Sequence, residues 1–115
     1  MAKILLVEDH PALVALRKKV LQQYGHKVSC AKDALHACRL LKSRHYDLVI
    51  TDKILSKGTG IEVAQLAHEL RIPVVLSSGW PAGKATHLFT HILPKPCTLR
   101  KFLGVIHATL ESSGI

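Results

Sequence analysis

With 115 residues, 48% of them hydrophobic, and a net charge of +8, the chain has room for one packed domain and is too apolar to be disordered. Its longest apolar runs, such as residues 4–7 and 73–76, fall far short of the roughly 20 residues a membrane span needs. Met1-Ala2-Lys3 leads into a strand-like run and then into acidic Glu8-Asp9, not into the apolar stretch of a signal peptide, so a cytoplasmic protein is expected.

Aromatic residues are only 4%, which excludes a set of stacking platforms for single-stranded nucleic acid. Lysines and arginines are dispersed, with Arg17-Lys18-Lys19 the local cluster, and the charge reads as a solvated basic surface. Cys30, Cys38 and Cys97 form no CxxC pair and are expected to be reduced, mostly buried thiols. The eight histidines are scattered, without the close spacing of a zinc site.

Along the chain, residues 3–8 (KILLVE) read as a buried strand, short, apolar and ending in polar residues. Residues 11–24 read as a helix, with Pro11 in its first turn, Leu13, Leu16 and Val20 at helical spacing, and Gly25 to end it. Residues 27–31 form a second strand. Ala34, Ala37, Cys38 and Leu41 then mark a helix over residues 33–43. Residues 47–51 (DLVIT) are a third strand with Asp52 at its C-terminal end, followed by a loop over residues 53–60. Val63, Leu66, Ala67 and Leu70 repeat the helical spacing. Residues 73–77 (PVVLS) are a fourth strand, 82–89 a short helix at best, and 91–93 a fifth strand. Leu99, Phe102, Leu103 and Ile106 mark a last helix.

Five alternating βα units imply an α/β domain with a parallel sheet covered on both faces. Ligands of such sheets sit beyond the C-terminal strand ends, at a topological switch point. Four of those ends carry Glu8-Asp9, Asp52, Ser77-Ser78 and Lys95. Three carboxylates at one edge repel one another and need a cation, and hard oxygen ligands suit Mg²⁺. A lysine and a hydroxyl facing the same spot suit a phosphoryl group. Carboxylate nucleophile, divalent ion and lysine together are the parts of an aspartyl-phosphate chemistry. Each residue alone has an ordinary alternative: Asp52 as a turn residue, Asp9 as the N-cap of the Pro11 helix, Lys95 as a surface lysine.

The ordered set resembles the response-regulator receiver family of two-component signalling, chemotaxis-regulator-like, along essentially the whole chain, residues 1–115. The matching residues are the acidic pair Glu8-Asp9, the phosphoacceptor position Asp52, loop-closing Gly60, the Ser/Thr switch position Ser78 with small Gly79 behind it, and Lys95-Pro96, usually joined by a cis peptide. The resemblance implies a doubly wound, flavodoxin-like five-stranded sheet of order 2-1-3-4-5. It implies a phosphorelay in which Asp52 takes a phosphoryl group from a histidine kinase or phosphotransfer protein. Mg²⁺ would be held by Asp9, Asp52 and the backbone carbonyl of Ile54, with Glu8 acting mainly through water. Lys95 would pair with the phosphoryl oxygens, and Ser78 would move to bond them. The chain would be a signalling domain, not an enzyme beyond its own phosphorylation and slow self-dephosphorylation.

Departures from the family pattern are also visible. Ser56 replaces a common proline, and only 17 residues separate Ser78 from Lys95, so a shortened or irregular fourth helix is expected. Ile92 stands where many members carry Tyr or Phe, and Cys97 where Phe often follows Lys-Pro. Ile54 and Trp80 occupy the positions that flank the hydrolytic water in the family, and neither readily orients one. No recognition helix is apparent, so output through a protein effector is expected, with no specific nucleic acid and no membrane. Three alternatives remain: a receiver-like binding module that works without phosphate, a receiver cut from a hybrid kinase or longer regulator, and a flavin or nucleotide binder. For the last, the acidic, glycine-free turn Glu8-Asp9-His10-Pro11 would repel a phosphate unless a metal intervened.

Overall fold

A computed structural model describes residues 1–79 and 83–112. The chain runs β1 (Lys3–Val7), α1 (Pro11–Gln23), β2 (Lys27–Ala31), α2 (Ala34–Ser43), β3 (Leu48–Asp52), α3 (Gly60–Glu69), β4 (Val74–Ser78), a 3-10 helix (Gly83–Leu88), β5 (His91–Pro94) and α4 (Leu99–Ser112). All strand pairs are parallel and the order is β2-β1-β3-β4-β5, the doubly wound arrangement expected from the sequence. The chain reverses its direction of winding between β1 and β3, which opens the crevice at their C-terminal ends.

Alternation along the strands sorts side chains into two cores. Leu5, Val7, Val49 and Val74 pack with Ala34, Ala37 and Leu41 of α2 and Val63, Ala64 and Ala67 of α3. Ile4, Leu6, Leu48, Ile50, Val75 and Leu93 pack with Leu21 of α1 and Phe102, Ile106 and Leu110 of α4. A sheet buried on both faces needs continuous apolar strands, and β1 and β3 are almost entirely buried.

Local signals start the helices. The Asp33 side chain accepts from the His36 amide at 2.8 Å to cap α2. Thr59 and Glu62 form a reciprocal capping box at α3. His10, not Asp9, caps α1, its Nδ1 accepting from the Leu13 amide at 3.3 Å. Asp9 is therefore not consumed as a cap.

Two expectations need correction. The inward face of α1 is not the Leu13–Leu16–Val20 row: Leu16 is 45% exposed, whereas Arg17 and Leu21 are buried. Counting apolar residues missed this because the side chain occupying the inward position is an arginine. The three cysteines are free but half-buried, not mostly buried. The segment before β5, expected over residues 82–89 as a short helix at best, shortened or irregular, is a short 3-10 helix over Gly83–Leu88, as expected. With only half-buried Leu88, followed by Phe89, packed on the core, so short a connection has little to gain from a full α-helix.

Near the N-terminal strand ends, His26 links β1 to α4. The Ala2 amide donates to His26 Nδ1 at 3.1 Å, so the ring proton sits on Nε2, which donates to His107 Nε2 at 3.2 Å. This arrangement needs a neutral His26, and burial first, then His107 and the N-terminal amine, hold its pKa below the ordinary 6.5. The unfolded chain therefore takes up the proton first, and the stability this site contributes is present above pH 6.5 and lost as the pH falls through the lower folded-state value. Urea denaturation at a series of pH values is expected to show a midpoint falling below pH 6.5, with a shallower fall in His26→Gln, which keeps an acceptor for Ala2 but does not titrate.

Candidate functional site

The C-terminal ends of β1, β3 and β5 converge on one ion-paired cluster. β1 delivers Glu8, whose amide continues the sheet by donating to the Ala31 carbonyl at 3.0 Å. β3 ends in Asp52, and the Lys53 amide donates to its Oδ1 at 2.8 Å. From just beyond β5, Lys95 Nζ donates to Glu8 Oε1 at 2.8 Å and to Asp52 Oδ2 at 2.7 Å. The Lys95-Pro96 peptide is cis.

Asp9 completes the acidic group. Glu8, Asp9 and Asp52 each bring a carboxylate oxygen within 4.8 Å of the others'. Glu8 is buried, Asp52 half-buried and Asp9 exposed, so the cluster opens to solvent on the Asp9 side. Burial, above all, raises the pKa of Glu8, against the opposing pull of Lys95. For Lys95 burial acts downward, but its hydrogen bonds to Asp52 and Glu8 outweigh it and the pKa is raised. The second oxygen of Glu8, Oε2, is buried and is one of two buried side-chain polar atoms without a partner among the described residues. Three converging carboxylates, one with an orphaned oxygen, form a donor set that fits a hard divalent cation such as Mg²⁺.

The remaining expected residues lie around this cluster. Ser78 is buried at the last position of β4, in register with Pro94, which immediately precedes Lys95. Ile54, 61% exposed, lies two residues beyond Asp52 and forms an antiparallel bridge with Thr59. Trp80, the other residue expected to flank the approach of water, lies outside the described residues. Gly60 closes the loop after Asp52. Its amide donates to the Lys53 carbonyl at 2.8 Å, and a Cβ built on it would collide with the Asp52 carbonyl oxygen.

One residue of this region was missed in the sequence. Arg17, apparently part of an exposed basic cluster, is 4% exposed and donates from Nη1 to Ser77 Oγ at 3.0 Å. Its spacing of four from both Leu13 and buried Leu21 was the available signal. Ser77 and Ser78, adjacent at the strand end, point to opposite faces of the sheet, and Ser77 faces α1.

The response regulator receiver domain family model matches residues 4–106. The chain is 33% identical over 64 residues to a probable histidine kinase of Oryza sativa subsp. indica, covering 56% of this chain and 7% of that protein. It is 28% identical over 115 residues to the regulatory protein VirG of Agrobacterium tumefaciens, covering 94% of this chain and 43% of that protein. The chain thus spans less than half the length of these relatives. Among solved structures, the response regulator TrrA of Thermotoga maritima, in complex with Mg²⁺–BeF, superposes with a TM-score of 0.87 at 23% identity, covering 95% of this chain and 99% of that one.

The contact of Gly60 with the Asp52 carbonyl has a measurable consequence. Gly60→Ala forces a methyl group against backbone that cannot yield without moving Asp52, and is expected to destabilise the fold by about 1–3 kcal/mol in urea denaturation.

Proposed function

We propose that this chain, which belongs to the response-regulator receiver family, accepts a phosphoryl group on Asp52 from a phosphohistidine of a kinase or phosphotransfer protein and signals through protein contacts. The observation that carries this reading is Lys95, held by hydrogen bonds to both Glu8 and Asp52 with Asp9 beside them. Asp52 Oδ1 is engaged by the Lys53 amide, so its carboxylate orientation is set before a donor arrives.

In this reading Asp52 attacks phosphorus in line, the P–N bond to the donor histidine breaks, and the leaving imidazole takes its electron pair. Lys95, within reach of Asp52, pairs with the transferred phosphoryl oxygens. Asp9, Asp52 and the backbone carbonyl of Ile54 would hold Mg²⁺, with Glu8 acting mainly through water, and the ion would neutralise charge on the phosphoryl oxygens. Ser78, at the end of β4, is the hydroxyl that bonds the phosphoryl group afterwards. Ile54 offers nothing to orient a hydrolytic water, which favours slow self-dephosphorylation.

The domain is a phosphorylated signalling element that acts on no separate substrate. None of the described helices is long and apolar enough to cross a membrane, and a cytoplasmic location is part of the proposal. The small share of the relatives' length that the chain covers supports a second reading, that this is the receiver portion of a hybrid kinase or a longer regulator. A phosphate-independent binding module has less support, because such a module has no use for the paired Glu8, Asp52 and Lys95.

Incubation with acetyl phosphate and Mg²⁺, followed by intact-mass spectrometry, is expected to add one phosphoryl group to the wild type and none to Asp52→Asn; a fully labelled Asp52→Asn protein overturns the assignment. Calorimetric titration in the absence of phosphate is expected to show weak Mg²⁺ binding that is lost in Asp9→Asn. Equal binding by the two proteins removes Asp9 from the ligand set.

A further inference from the structure

Arg17 is a buried cation whose hydrogen-bond and stacking partners are all uncharged in their ordinary forms. Nη1 donates to Ser77 Oγ at 3.0 Å, Nη2 lies 4.0 Å from Cys97 Sγ, and the guanidinium stands 4.6 Å from the centroid of the Phe102 ring. A guanidinium remains protonated in proteins, and burying that charge costs several kcal/mol unless opposite charge is near. No carboxylate forms a salt bridge with it among the described residues.

The sheet places Arg17 beside the phosphoacceptor cluster. Ser77, which Arg17 grips, is the register partner of Asp52 on the adjacent strand. Arg17 and Lys95 line one cavity of about 190 Å³, together with His10 and Cys97. Burial lowers the proton affinity of Arg17; Cys97, which bears charge only as a thiolate, and then the carboxylates Glu8 and Asp52 act in the opposite direction.

We propose that Arg17 is a positioning residue of the phosphoacceptor site, a fixed buried cation behind Asp52 that opposes the bare divalent ion and favours the anionic phosphoryl group. The inference rests on the phosphoacceptor reading given above. Its physical content is one of sign. A fixed positive charge raises the free energy of an incoming cation and lowers that of an incoming anion, so removing it moves the two affinities in opposite directions. A side chain that only filled space would, on removal, loosen the site and weaken both. The charge is tied to α1 through its own backbone, to β4 through Ser77 and to α4 through Phe102, so it cannot follow the ligand out to solvent.

The test uses the full chain as wild type, Arg17→Lys, Arg17→Met and Arg17→Met/Ser77→Val. Mg²⁺ alone is titrated first, and beryllofluoride, a mimic of the phosphoryl group, is then titrated at saturating Mg²⁺. Arg17→Met is expected to bind Mg²⁺ about threefold to tenfold more tightly and beryllofluoride about threefold to tenfold more weakly, with Arg17→Lys close to the wild type. If Arg17→Met does not fold, the double variant, which also removes the stranded Ser77 hydroxyl and places an apolar strand former there, carries the same test. Loss of both affinities together, or no change in either, overturns the proposal. A wild type that binds no beryllofluoride overturns the phosphoacceptor reading itself, which separates the two failures.

Discussion

The arrangement of this molecule turns on an ammonium group held between two carboxylates. Lys95 Nζ sits 2.8 Å from Glu8 and 2.7 Å from Asp52, joining side chains that follow β1, end β3 and follow β5. Glu8 is almost wholly buried, and without the lysine its charge and that of Asp52 would repel at close range in a medium that screens poorly. Such a cluster is a poor means of stabilising a fold, because desolvation offsets most of the attraction. In the proposed phosphoacceptor reading, its place at a sheet edge is chemical: a lysine and a divalent cation both neutralise the same carboxylates, and both suit an arriving phosphoryl group.

The fold holds this cluster with backbone, not with flexible side chains. Parallel pairing of β1 with β2 and β3, and of β3 with β4, sets where each strand stops. Two apolar layers then clamp the sheet from both sides. The capping box at Thr59 and Glu62 fixes the start of α3, which brings Gly60 against the Asp52 carbonyl, an approach open only to glycine. The backbone of Asp52 is thus limited by packing against Gly60.

The side of the molecule beyond β4 departs most from the family pattern. Ile92 is 42% exposed on β5, where many members carry an aromatic ring, and the preceding segment is a 3-10 helix with no fully buried residue. A relay that depends on a swinging ring at this position is not available here. The polar connection of this protein lies on the opposite face of the sheet, where Arg17 spans from Ser77 to the ring of Phe102 on α4. The buried arginine gives Ser77, on that face of β4, its hydrogen-bond partner.

The architecture was legible in the amino-acid sequence because each element has a local cause: apolar runs for β1, β3 and β4, helical spacing for α2 and α3, and polar residues at the strand ends. The same holds for Glu8, Asp9, Asp52 and Lys95, whose grouping follows from parallel connectivity alone, since parallel strands bring all their C-terminal ends to one edge. Tertiary structure decided what no local pattern encodes. Arg17 and Leu16 exchanged their expected places because the inward face of α1 depends on what α4 and β4 offer it, here a ring and a hydroxyl. His10 capped α1 instead of Asp9 because the backbone geometry where β1 runs into α1 chose between adjacent residues. Glu8 and Asp52 came to share one lysine because 43 residues of chain separate Asp52 from Lys95 and 87 separate Glu8 from it, distances in sequence that only the folded sheet closes.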